Sequence, residues 1–156
     1  MADIRVVWSP ELMTGQWLLK GNVLDITREL PTALAVALFT DRLARADDRL
    51  PVTGSSRRGW WGDMDAEVLF SGWPIGSRLW LLSREKQTTE TRNRAYEYIK
   101  EAIDPLVSLG VMSSYDLVVD WFAFERLGAE ITCYGSFGSI AVRFESLWTE
   151  LTTTSP

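Results

Sequence analysis

With 156 residues, 46% of them apolar and 24% charged, the chain has the size and composition of one globular domain that buries a core without disulfides or metals. It has no histidine and one cysteine, Cys133, which excludes an internal disulfide, a multi-cysteine zinc site and a histidine-activated nucleophile. The net charge of −5 argues against a nucleic-acid partner, and no apolar run nears the ~20 residues that span a bilayer.

Ile4 to Trp8 reads as a short strand ended by Ser9-Pro10. Gln16 to Leu19 reads as its hairpin partner, and Asn22 to Ile26 as a further extended piece. The opening MADIRVVW has neither a charged n-region nor a long apolar h-region, so no signal peptide is expected. Thr27 is placed to cap a helix that tolerates Pro31 in its first turn. The run ALAVALFT is apolar on nearly every side, so this helix is expected to be covered from several directions, with a charged tail from Asp41 to Arg49. From Ala46 to Trp73 the pattern is irregular and punctuated by Pro51, Gly54, Gly59, Gly62 and Gly72. A stretch so long without periodicity is disordered or functional, and its aromatic content argues against disorder.

Ser77 to Leu82 predicts a short helix. A longer one follows, with Thr88 or Thr89 as cap and Glu90 at the positive end of its dipole. Ala95, Tyr98, Ile99, Ala102, Ile103 and Leu106 form its apolar stripe. Pro105 is expected to bend or end it, and Gly110 to stop it. Tyr115–Phe124, Ala129–Tyr134 and Ser139–Trp148 read as strands of an antiparallel meander with turns at glycines 128, 135 and 138. In the last strand Ile140, Val142, Phe144 and Trp148 alternate with Ala141, Arg143 and Glu145, predicting one buried and one wetter face. The expected fold is α+β: one domain over residues 1–150, with two main helices packed on a small antiparallel sheet, an N-terminal hairpin, a long irregular central loop and a flexible tail at 151–156.

Candidate chemistry is sparse. Asp63, Asp65 and Glu67 lie near aromatics, as a glycosidase pair would, but carboxylates two apart on a loop are usually solvated. Asp41, Asp47 and Asp48 lack the spacing of a calcium loop, and no phosphate-binding loop is present. Cys133 reads as a small apolar strand residue. The expectation is a protein that is not an enzyme and needs no cofactor or metal.

The eight tryptophans are unusual. Two of them fall in SSRRGWWGD, Ser55 to Asp63, beside Arg57 and Arg58. Tryptophan and arginine are the residues most enriched at the energetic centres of protein interfaces, and arginine also pairs with carboxylates and stacks on rings. The segment reads as a docking loop, with one tryptophan held by its own domain and the other at a contact. A loop folded back on itself would instead pair Arg57 or Arg58 with Asp63.

ALFTDRLARADDRLP, RRGWWGD, GSRLWLLSREKQT, a helix ending in LVSLGV and a last strand with VRFESLW together resemble the small Mu-like phage tail protein family. These are baseplate wedge proteins of contractile tails, similar to sheath initiators, and the resemblance runs from about Val6 to Trp148. It implies a structural protein of the virion tail baseplate, assembled in the host cytoplasm. It also implies contacts with the tail hub or tube and the larger wedge protein, and with sheath subunits that add a strand to an exposed sheet edge. Several copies per baseplate are implied, six being the expectation. Asp41-Arg42 stands where sheath initiators carry a Glu-Arg-type motif, with aspartate in place of glutamate. The expected partner-binding residues are therefore Asp41, Arg42, Arg57, Arg58, Trp60, Trp61, Asp63 and Arg78. The alternative is a carbohydrate-binding module or glycoside hydrolase using tryptophan platforms with Asp or Glu.

Overall fold

A computed structural model describes residues 6–9, 11–12, 14–17, 19–20, 23–24, 29–65 and 72–147. The N-terminal hairpin pairs β1 (Val6–Ser9) with β2 (Thr14–Trp17), placing Val6 opposite Trp17 and Ser9 opposite Thr14. A second, two-residue pair joins β3 (Leu19–Lys20) to β4 (Val23–Leu24). The expected cap Thr27 lies outside the described residues, as do Glu67, Trp148 and the tail at 151–156.

Helix α1 spans Glu29–Phe39. Pro31 sits in its first turn, where a missing N–H costs no intrahelical bond. Leu30, Leu34 and Leu38 recur every fourth residue and are buried, and Val36 is the large apolar residue of this helix left exposed. The charged segment after it is not helical. Instead the chain extends past Ser77 as a single parallel bridge from Asp41. Ser77 donates its N–H to the Thr40 carbonyl at 2.9 Å, and Arg42 donates its N–H to the Ser77 carbonyl at 2.9 Å. This approach requires Gly76: its φ is 101°, and a Cβ there would lie 2.3 Å from the Thr40 carbonyl oxygen.

The central segment carries two 3-10 turns, Trp61–Asp65 and Leu79–Leu82. All four residues of the second are buried. Helix α2, Thr89–Ser108, is capped by Thr88, whose hydroxyl accepts the Thr91 N–H at 3.1 Å. Its expected stripe is present, with Ala95, Tyr98, Ile99, Ala102 and Ile103 buried. Pro105 does not end the helix, which runs on to Ser108. The stop comes at Gly110, φ 75°, where the Gly110 N–H bonds Val107 and the Val111 N–H bonds Leu106, a complete Schellman closure.

The C-terminal sheet has the order β5-β6-β7 (Ser114–Ala123, Arg126–Gly135, Gly138–Phe144), all antiparallel. Its inner face presents Val119, Leu127, Ala129, Ile131, Cys133 and Phe144 to the core shared with α1, α2 and the second 3-10 turn. Cys133 is fully buried, and burial pushes its thiol pKa up, as suits an inert apolar position. Gly135 and Gly138 flank a hairpin turn as expected, but Gly128 lies inside β6. A Cβ at Gly128 would meet the Phe122 ring at 2.3 Å, so this glycine makes room for a side chain and the turn falls at Glu125, φ 56°. The fold is the α+β arrangement of two helices and a small antiparallel sheet.

Candidate functional site

The expected site residues fall into two groups that share a chain segment but not an environment. The first is an ionic network under the 41–48 segment. Arg78 is 7% exposed, and its fork is fully engaged. Its Nη1 donates to both Asp48 carboxylate oxygens at 2.9 and 3.0 Å, and its Nε and Nη2 reach Glu101 Oε2 at 2.9 and 2.8 Å. Its plane also lies over Tyr98, 4.5 Å from the ring centroid. Arg42, 6% exposed, shares Glu101 at 3.3 Å and donates Nη2 to the Pro74 carbonyl at 2.5 Å. The Arg42 carbonyl accepts the Trp80 indole N–H at 2.8 Å. Arg45 closes the network from outside, 2.7 Å from Glu101.

The electrostatics follow this packing. Burial works against the Arg78 cation, but hydrogen bonds and charge from Glu101 and Asp48 outweigh it and raise its pKa. At Arg42 burial wins, and its pKa is lowered despite Glu101 and Asp63. Burial would raise Glu101 and Asp48. Arg78 overrides it at Glu101, and at Asp48 the Arg45 backbone N–H and Arg78 do so together, leaving both below the usual carboxylate range.

The second group is the Arg-Trp turn. Arg58 adopts φ 49°, a left-handed conformation that is costly for a residue with a Cβ, and Gly59 follows at φ 114°. The two bend the chain so that Leu43 packs on Gly59. Arg58 Nη1 pairs with Asp41 Oδ2 at 2.7 Å, and its guanidinium covers the Trp80 ring at 4.9 Å. Neither Arg57 nor Arg58 pairs with Asp63. Among the described residues Arg57 makes no ion pair, and its Nη2 is buried without a hydrogen bond. Asp63 instead caps the returning chain, accepting the Ile75 N–H at 2.9 Å and donating its own N–H to Trp60 at 3.0 Å.

The tryptophans divide. Trp60 is half-buried and lies on Gly62, where a Cβ would sit 2.4 Å from its ring. Trp61 is 76% exposed and leans on Trp60, with centroids 5.3 Å apart and planes at 48°. Met64, one 3-10 turn later, is 84% exposed. The result is an apolar ledge of Trp61 and Met64, braced beneath by Trp60 and Asp63.

The structure thus brings Asp41, Arg58, Trp60, Trp61 and Asp63 to one turn, and places Arg42 and Arg78 inside, Arg78 with its charge met by two carboxylates and Arg42 with its Nε buried without a hydrogen bond. Reading the sequence missed Glu101 and Asp48 as the counter-charges of that interior, and Met64 on the ledge. Glu101 interrupts the α2 stripe three residues after Tyr98, the one local sign that a charge faces inward. Of the carboxylate trio weighed for glycoside chemistry, Asp63 serves a backbone N–H and Glu67 lies outside the described residues. No group of three metal-ligating side chains occurs among the described residues, and no helix there is long and apolar enough to cross a membrane.

Comparison with known proteins adds a family. Residues 30–139 match the profile of the family described as Phage protein GP46, a stretch holding both the network and the turn. The chain is 39% identical over 119 residues to the baseplate protein gp46 of Escherichia phage Mu, covering 75% of this chain and 76% of that one. It is 34% identical over 118 residues to the Mu-like prophage FluMu protein gp46 of Haemophilus influenzae, covering 76% of each. No solved structure matches it.

Proposed function

Because this chain belongs to the phage protein GP46 family, we propose that it is a structural component of a phage tail baseplate, working through contacts with neighbouring subunits rather than through catalysis. Its location is then the virion baseplate, reached by assembly in the host cytoplasm. In the finer reading the tail is contractile and several copies, six per baseplate, join the hub, a larger wedge subunit and the sheath. The observation that carries the docking surface is the Trp61–Met64 ledge: two large apolar side chains, 76% and 84% exposed, on a turn fixed by Asp63 and Trp60. A rigid exposed indole gives large contact area at little ordering cost, and such residues dominate interface energetics.

Within this reading the eight candidate residues take separate roles. Trp61 makes the contact, flanked by Arg57, Arg58 and Asp41. Trp60 and Asp63 hold the ledge in place, and Arg42 and Arg78 fix the 41–48 segment beneath. The outer strands β5 and β7 are the sheet edges on which sheath strands would add, since each pairs on one side only among the described residues.

The test is incorporation of the Trp61→Ala chain into tail particles. Removing an exposed side chain changes stability by no more than about 0.5 kcal/mol, so the variant stays folded while its share in purified baseplates falls. Normal incorporation of the variant refutes the ledge. Absence of the wild-type chain from purified baseplates refutes the baseplate role itself.

A further inference from the structure

Between the 51–58 segment and the second 3-10 turn lies a pocket of about 270 Å³ that neither the ledge nor the network uses. Arg58 and Arg84 line it, with the hydroxyl residues Ser55, Ser56 and Ser83 and the Trp80 side chain. No carboxylate is among the described residues that line it, although the chain as a whole carries −5. Several arginines are paired with carboxylates within the fold: Arg94 with Glu85, Arg92 with Asp120, Arg42 and Arg78 with Glu101. Arg84 makes no ion pair among the described residues.

Arg58 is held ready for the same opening. Its backbone is fixed in the left-handed region, with its N–H bonded to Ser56 Oγ at 3.1 Å. Its side chain gives one nitrogen to Asp41 and one face to Trp80, which leaves the remaining donors of the fork free. Strain retained at a residue that lines a pocket is a mark of preorganisation.

We propose that this pocket binds a carboxylate side chain on an acidic segment of a partner protein. Arg58 and Arg84 both line the pocket, a guanidinium suits a carboxylate through its paired N–H donors, and the neighbouring Pro51 and Val52 offer an apolar rim for the residue beside it. A nucleic-acid strand fits less well, because the net negative charge of the chain repels a polyanion. The inference goes beyond the baseplate reading, and the isolated chain tests it without any particle.

The experiment is a proton–nitrogen NMR titration of the full chain, following the Arg58 and Arg84 Nε–H resonances. The probe is a short end-blocked peptide with two adjacent glutamates flanked by leucines. Its controls are the same peptide with glutamines and a short DNA duplex. The glutamate peptide moves both resonances, and the glutamine peptide binds about tenfold more weakly. Arg84→Gln and Arg58→Gln each weaken the glutamate peptide about tenfold. Arg84→Lys weakens it less, keeping the charge but not the fork, and Arg143→Gln, the same charge change on the outer sheet face, leaves it intact. Equal binding of the glutamine peptide, equal loss in Arg143→Gln, tighter binding of the duplex, or no shift at millimolar peptide each overturns the proposal.

Discussion

Arg78 and Arg58 lie on facing segments joined through Trp80, yet they belong to different kinds of structure. Arg78 is 7% exposed, held by two carboxylates and an aromatic face. The Arg58 side chain is 46% exposed, makes one ion pair with a carboxylate that is itself 40% exposed, and sits on a strained backbone. The same residue type is a structural cross-link in one place and a presented group in the other, and desolvation decides which. A buried cation stripped of its partner has nowhere to put its charge, whereas an exposed one is rehydrated. Changes to the interior should therefore be read in stability, and changes to the turn in binding.

The largest effect expected from this contrast is at Glu101, the carboxylate shared by Arg42, Arg45 and Arg78. Glu101→Ala leaves two buried guanidiniums undercompensated and should cost about 3–5 kcal/mol in urea unfolding. A loss under about 1 kcal/mol would mean that water reaches the network and that it resembles the surface pairs. Next is Gly76→Ala, which combines a φ of 101° with a Cβ contact at 2.3 Å to the Thr40 carbonyl oxygen. Because the contact is with backbone, the Asp41–Ser77 bridge has to open. About 3 kcal/mol is expected, the sum of left-handed strain and overpacking.

The network also predicts an acid response. Glu101 and Asp48 have folded pKa values below their ordinary 4.5 and 3.8. Depressed carboxylate values contribute stability that is fully present above those ordinary values and is lost as pH falls through the lower folded ones. Melting temperature should therefore fall steadily on acidification below about pH 4.5, and the Glu101→Gln chain should show a shallower fall. Some slope remains in that variant, because Asp104, bonded to Lys100 and Tyr115, is depressed too. An unchanged slope would place the acid-sensitive groups outside the network.

What the sequence made legible was what periodicity carries. The α2 stripe, the Thr88 cap, the Gly110 stop and the alternating β7 face depend on neighbours within a few residues, and the structure has all of them. Gly128 was misleading because a glycine between aromatic strands looks like a turn, and only the Phe122 ring packed on it reveals its purpose. The interior role of Arg42 and Arg78 was not legible at all. Their partner Glu101 stands 23 residues beyond Arg78, and pairing at that range is set by tertiary packing rather than by local pattern. The Arg-Trp turn stood out for composition, yet the choice of partners within it, Asp41 for Arg58 and Ile75 for Asp63, needed the folded chain.

The smallest expected stability change separates the two regions most sharply. Arg58→Gly removes a Cβ from the left-handed region, a gain of about 1–2 kcal/mol in backbone conformation, partly offset by the greater freedom of glycine in the unfolded chain. It also removes the exposed Asp41 pair, worth about 0.2–1 kcal/mol, and the guanidinium over Trp80, worth about 0.5–1 kcal/mol at a partly exposed site. These largely cancel, so unfolding should shift by no more than about 1 kcal/mol, while binding of the glutamate peptide weakens as it does for Arg58→Gln. A large destabilisation with unchanged peptide binding would reverse the assignment: Arg58 would then be a cross-link like Arg78, and its strained backbone a cost of folding rather than of presentation.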